Sequence, residues 1–164
     1  MGRLPTLAPP AFRSDRAFRL AASVRHVTVG ENASIVSRLL EAYLEGRTDE
    51  AVQVLAEDVV FYADPSWPEV GSLRGPRTVL AQFDQWDEVF GSDWRRSITI
   101  ELLEELPDGR VLVENKLAAS GAASGVPFEQ EFASIYTIRE GLVAEAHLFL
   151  SWARATDAAR LPPS

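Results

Sequence analysis

The residues able to do chemistry converge on one stretch, residues 57–80, EDVVFYADPSWPEVGSLRGPRTVL. Asp64 ends a β-branched and aromatic run, residues 59–63, that reads as a strand. It precedes Pro65, so its backbone is held extended and its carboxylate sits where the chain leaves the sheet. A carboxylate between Tyr62 and Trp67 that faces an apolar space loses solvation. That raises its pKa and makes it a usable general base near neutral pH. The competing role is structural, because Asp before Pro often hydrogen-bonds the backbone of its own turn.

Alternation places Val60, Tyr62 and Asp64 on one strand face. Tyr62, Trp67 and Trp86 are candidates to line a pocket; the alternative for such large aromatics is the core. Arg74 is placed to take an anionic group of a substrate or to pair with Glu69. There are no cysteines, and the histidines are His26 and His147. Thiolate chemistry, disulfides and the usual zinc cages are therefore excluded. No metal site or cofactor is expected.

The elements that must position these groups follow from periodicity. Residues 32–46 carry Ile35, Val36, Leu39, Leu40, Tyr43 and Leu44 at helical spacing, with Asn32 to cap the start and Gly46 the end. A second short helix begins at Thr48, with Ala51, Val52 and Leu55 inward. After the strand at 59–63, Pro65, Trp67, Pro68 and Gly71 make a stiff loop. Gly75-Pro76 starts a third helix over 76–90, with Val79, Leu80, Phe83, Trp86 and Phe90 on one stripe. Strands are expected at 94–106, 110–120, 127–139 and 142–150, the first two joined by the Pro107-Asp108-Gly109 turn. A helix over 151–159 closes the chain.

Helices first and consecutive antiparallel strands after them mean an α+β fold. If the sheet curves, the space between it and the helices becomes a pocket. On the third long strand, Gln130, Ser134 and Tyr136 share a face with Phe128, Phe132 and Ile138. That face is either a pocket wall or an ordinary half-buried sheet face. Glu129 and Glu131 belong to the opposite, solvated or interfacial face. His147 alternates away from Ala146, Leu148 and Leu150, so it is read as a surface or interface residue, and an Asp64–His147 dyad would contradict that parity.

At 164 residues, 46% hydrophobic and 24% charged, the chain is expected to form one domain over 31–160, with tails at 1–30 and 161–164. Residues 1–30 hold five Arg and one Asp, which leaves the remainder with 11 basic and 23 acidic residues. An acidic domain argues against nucleic acid as a partner. No apolar run approaches the roughly 18 residues of a membrane span, so no membrane partner and a cytoplasmic location are expected. Lys116 is the only lysine, an Arg bias that fits a GC-rich bacterial genome. The first 30 residues, with Pro5, Pro9 and Pro10, read as a flexible or extraneous tail, with a native start near Val27 or Val29. Their Arg-rich, acid-poor character superficially matches a transit peptide.

An ordered set of segments carries a resemblance: "YLEG", "LAEDVVFYADPSWPEVGSLRG", "SGV", then "YTIREGLVAEAHLFLS". Over residues 31–160 the chain resembles the SnoaL-like branch of the nuclear transport factor 2-like superfamily. The resemblance implies a cone-shaped curved antiparallel sheet wrapped around three N-terminal helices, an α+β barrel. It also implies a closed apolar pocket for a small apolar molecule and a homodimer through the outer sheet face.

Relatives include polyketide cyclases, ketosteroid isomerases, limonene-epoxide hydrolases, dehydratases and non-enzymatic binders. Asp64 resembles the general base of the isomerases. Their tyrosine donor falls near Leu39, where Tyr43, one turn on, is a weak stand-in, and their protonated aspartate falls near Ser134. The hydrolase Asp-Arg-Asp set falls near Asn115, Leu117 and Leu148, with no carboxylate among them.

Two functions follow as expectations. One is a cofactor-free isomerase, cyclase or dehydratase acting on an apolar or polyketide-like substrate, with Asp64 as acid/base and Tyr62, Trp67 and Tyr136 shaping the site. The other is a non-catalytic binding or dimerisation module of the same fold. Deleting residues 1–28 is expected to leave the Tm nearly unchanged in a thermal melt, and a large drop overturns the reading of the tail.

Overall fold

The structure is a computed structural model that describes residues 30–67, 70–91, 93–120 and 124–162. The expected tail up to residue 29 lies outside the described residues. Helix α1 (Glu31–Leu44) buries Ala33, Ile35, Val36, Leu39, Leu40 and Ala42, the stripe that the periodicity predicts. Its cap differs from expectation. Asn32 lies inside the first turn and donates to the Gly109 carbonyl at 2.8 Å. The Glu105 carboxylate accepts from the Ala33 N–H at 3.0 Å, so the acceptor comes from a distant strand.

Helix α2 (Thr48–Val54) runs directly into β1 (Leu55–Tyr62). The strand thus begins at Leu55 rather than at residue 59, because Leu55 pairs with Val143 of the last strand. The loop expected before the third helix contains a short strand, β2 (Ser72–Arg74), antiparallel to β1. Gly75, at φ 85°, leads into α3 (Pro76–Asp84) with Pro76 in its first turn. The single helix expected over 76–90 is interrupted at Gln85 and continues as α4 (Trp86–Phe90). A 3-10 turn (Trp94–Ser97) replaces the start of the strand expected at 94.

The remaining elements are β3 (Ile98–Glu105), β4 (Val111–Ser120), β5 (Pro127–Arg139), β6 (Leu142–Phe149) and α5 (Trp152–Ala159). The strands form one curved, unclosed sheet in the order β2-β1-β6-β5-β4-β3. β1 pairs parallel with β6; the other pairs are antiparallel. The fold is α+β, as expected. No helix among the described residues is long and apolar enough to cross a membrane.

The inner sheet face packs on α1, α2 and α3; Val36 of α1 and Val59, Ile100, Val111, Val113 and Val143 of the sheet are among the most deeply buried side chains between them. The outer face is not left bare. Leu112, Ala133 and Ile135 project outward and are covered by Ala155 of α5, with Phe149 and Trp152 alongside. The sheet is therefore buried on both faces at its centre. Alternating patterning alone suggests one buried face, because the apolar outer positions are short interruptions among Glu114, Lys116, Glu129 and Glu131.

Ile100 is 1% exposed on the inner face. Ile100→Ala is expected to lower stability by about 2–5 kcal/mol and Ile100→Val by about 0.5–1.5 kcal/mol, read from urea denaturation at an unchanged m value.

Candidate functional site

Between the helices and the inner sheet face lies a cavity of about 90 Å³. Helix α1 supplies Leu39, Leu40, Tyr43 and Leu44; α3 supplies Val79, Leu80 and Phe83. Trp86 and Trp94 close one side, and Phe61, Asn115, Phe132, Ser134, Tyr136 and Leu148 are among the sheet residues that close the other. The aromatic wall is a network of edge contacts. Phe83 meets Tyr43, Phe61 and Trp86 at centroid separations of 5.7, 5.1 and 5.1 Å. Trp86 meets Trp94 at 5.3 Å, and Trp94 donates its N–H to Asp87 at 2.7 Å. Such rings hold each other in fixed orientations.

Of the expected pocket residues, Tyr43, Trp86, Asn115, Ser134, Tyr136 and Leu148 line this cavity. Tyr62, Trp67 and Gln130 do not. The register explains Tyr62: Phe61 opposes Ala146 inside, so Tyr62 opposes His147 outside and stacks on its ring at 4.4 Å. Sequence alternation groups Tyr62 with Asp64 correctly; it does not show that their face is the outer one. Trp67 packs behind Trp86, ring to ring at 5.3 Å. Gln130 shares the inner parity of β5 but is exposed beyond the cavity's end, donating to the Glu131 carbonyl at 2.6 Å. Arg74 is exposed on β2, away from the cavity, and its expected partner Glu69 lies outside the described residues. His147 points outward, as its parity predicts.

Asp64 is 1% exposed, yet it does not line the cavity. Its carboxylate is held by donors from separate parts of the chain. Oδ1 accepts from the Ser66 N–H at 2.9 Å and the Ser66 hydroxyl at 2.8 Å. Oδ2 accepts from the Leu150 N–H at 2.9 Å, and Arg154 Nη1 reaches both oxygens at 3.2 and 3.0 Å. Burial by itself raises the carboxyl's pKa. The Leu150 and Ser66 donors and Arg154 outweigh it, bringing the pKa down from 3.8 to about 2. The expectation of a raised value is therefore not met: burial occurs, but with donors rather than among apolar groups. The turn-bonding role foreseen for Asp64 is present in the Ser66 contacts.

The cavity's polar groups are few. Burial pushes the Tyr136 phenol up to about 12, against a hydrogen bond to the Ser134 side chain. Burial likewise raises the Tyr43 phenol, above the ordinary range. The Arg95 guanidinium carbon lies 5.2 Å from the centroid of the Tyr43 ring. A side-chain hydrogen bond to Arg95 and the guanidinium charge draw the phenol's pKa part of the way back down, although the contact is not one of ordinary geometry at the Tyr43 hydroxyl or Arg95 Nε. Sequence reasoning missed Arg95, Trp94 and the lining role of Phe61. For Phe61 the signal was its parity with Val59; for Arg95 there was none. Among the described residues, no group of three or more His, Cys, Asp or Glu is placed to hold a metal ion.

The folded pKa of Asp64 lies below its unfolded value, so ionised Asp64 stabilises the fold above about pH 4, by on the order of 2 kcal/mol. That contribution is expected to fade as pH falls from about 4 towards 2, read from urea midpoints, and to be missing from the pH profile of Asp64→Asn. Asp64→Ala strands the Leu150 and Ser66 N–H groups and is expected to cost about 3–5 kcal/mol. Arg154→Ala, at a side chain 51% exposed, is expected to cost less, about 1 kcal/mol.

Residues 36–146 match the SnoaL-like domain. No curated protein matches the sequence. Solved structures share the fold. A candidate SnoaL-like polyketide cyclase from Jannaschia sp. CCS1 is 17% identical, with 84% of this chain and all of that one covered at a TM-score of 0.63. An NTF2-like protein from Burkholderia xenovorans LB400 is 23% identical, covering 82% of this chain and all of that one at 0.60. A candidate isomerase from Bacillus subtilis is 16% identical, covering 79% and 91% of the two chains at 0.59. At these identities the likeness is one of fold. With more than half of its length matched, the chain belongs to the SnoaL-like domain family.

Proposed function

We propose that this SnoaL-like protein is a binding module whose cavity holds a compact, mostly apolar molecule without a carboxylate base. The observation that carries this is the cavity wall. Aromatic and aliphatic side chains make up most of it, and no Asp, Glu, His, Lys or Arg is among the described residues that line it. Apolar walls with a few placed polar groups are what small-molecule sites have in common. The isomerase, cyclase or dehydratase reading needs a group that takes a proton from the bound substrate. Asp64 is the carboxylate offered for that task, and it is turned to the outer side and occupied by Ser66, Leu150 and Arg154. A homodimer through the outer sheet face belongs to the same proposal; a second copy would meet the sheet beside α5, and sedimentation showing only monomer would remove it.

Ethylbenzene and acetophenone serve as probes of the cavity. Each is expected to raise stability, by about 2.7 kcal/mol at one hundred times its Kd. Each is also expected to alter tryptophan emission, because Trp86 and Trp94 line the cavity. Asp64→Asn is expected to lower the Tm while leaving both Kd values unchanged. Exchange of acetophenone methyl protons with deuterium that depends on Asp64 would overturn the reading in favour of an enzyme.

A further inference from the structure

We infer that helix α4 is a lid over one end of the cavity, hinged at Gln85 and Gly91 and latched shut by Arg95. This rests on the cavity reading above and adds the route by which a ligand enters. Trp86 of α4 lines the cavity and packs on Trp67, in the loop between β1 and β2, at 5.3 Å. One turn on, Phe90 packs on Phe128 at 5.2 Å. Phe128 shares the inner parity of β5 with Phe132, which lines the cavity. Helix α4 therefore lies across this end of the cavity, from the β1–β2 loop to the start of β5.

Both ends of α4 can turn. Gln85 separates it from α3, and Gly91 ends it at φ 82°, an angle that glycine adopts without steric cost. Its apolar grip is shallow. Trp86 and Phe90 are half-buried, and no described side chain of α4 is fully buried, whereas α1 and α3 bury Val36, Leu39, Val79 and Leu80. Polar contacts supply the rest of the hold. Asp87 accepts from the Trp94 indole N–H at 2.7 Å, and Arg95 reaches Asp84 at 2.6 Å and Asp87 at 3.5 Å. Arg95 thus ties the end of α3 to α4, with its guanidinium over the Tyr43 ring of α1.

This latch is weak. The Asp84 side chain is 54% exposed and that of Asp87 36%, so water and salt screen both ion pairs. The Tyr43 hydroxyl and Arg95 Nε are buried beside it, and the bond between these two side chains is out of ordinary geometry. Buried polar atoms that are poorly paired favour a state that hydrates them. Withdrawing α4, and Asp87 with it, lets water reach Arg95. A segment held in this way opens without unfolding the core.

The test follows ethylbenzene by stopped flow in wild type, Asp84→Asn and Asp87→Asn. A ligand passes an open lid in both directions, so its association and dissociation rates are each expected to rise about threefold to tenfold in the variants, with Kd unchanged within about twofold. Locking the lid is expected to do the reverse. The chain has no cysteine, so Phe90→Cys combined with Phe128→Cys can be bridged by a cleavable bifunctional thiol reagent. The bridged protein is expected to exchange ethylbenzene at least about tenfold more slowly than the same protein after cleavage. Without ligand, the Glu88 and Gly91 amides, bonded to the Gln85 and Asp87 carbonyls, are expected to exchange with deuterium faster in Asp87→Asn than in wild type, while the Val79 amide of α3 is unchanged. Unaltered ligand rates in both latch variants, or a bridged protein that exchanges ligand as fast as the cleaved one, overturns the inference and leaves the cavity reading standing. If ethylbenzene does not bind wild type, the cavity reading falls and the amides decide alone: equal exchange of Glu88 and Gly91 in the two proteins overturns the lid as well.

Discussion

The fold depends on a buried carboxylate that gathers four stretches of chain. Asp64 sits at the end of β1, yet its donors come from its own turn, from the end of β6 and from α5. Those contacts join the parallel β1–β6 pair to the C-terminal helix. Once Arg154 is tied there, Trp152 reaches the Asn115 and Phe132 carbonyls at 3.0 and 3.2 Å. Arg110 holds the far end of α5 through the Ala159 and Leu161 carbonyls at 3.0 and 2.7 Å. The helix is pinned along its length, and its Ala155 face seals the apolar centre of the outer sheet. A buried charge costs free energy unless it is fully paired, and here the pairing is what closes the outer layer.

Commitment of Asp64 to the outer layer leaves the inner space to apolar chemistry. The cavity is framed by rings that meet edge to face from Tyr43 and Phe61 through Phe83 to Trp86, with Trp94 tilted against Trp86. Selectivity in such a site rests on the few polar atoms left in its wall. A fold of this kind does not fix a function, which depends on the side chains that reach the inner face.

Much of this was legible in the residues. The helical stripe of α1, Pro76 at a helix start, the Asp108-Gly109 turn and the alternation along β5 are local signals, and each sits where its periodicity or turn chemistry demands. Tyr43 and Trp86 follow from helical spacing, Ser134 and Tyr136 from the alternation along β5, and Asn115 and Leu148 from the family resemblance. Two other features were not legible. Strand β2 has little pattern of its own and exists because β1 offers it an edge. The cap on α1 comes from Glu105, far along the chain.

The sequence by itself determined the α+β class, the order of elements and the parity within each strand, because these depend on propensity and spacing over a few residues. It also determined that Asp64 and Tyr62 share a face. Only the tertiary structure decided that this face is the outer one. The pairing of Phe61 with Ala146 and of Tyr62 with His147 joins strands separated by most of the chain. The approach of Arg154 to Asp64, 90 residues away, has the same origin. Whether a buried carboxylate is a raised-pKa base or a depressed-pKa anchor depends on the donors that arrive from such distances, and no local pattern encodes them.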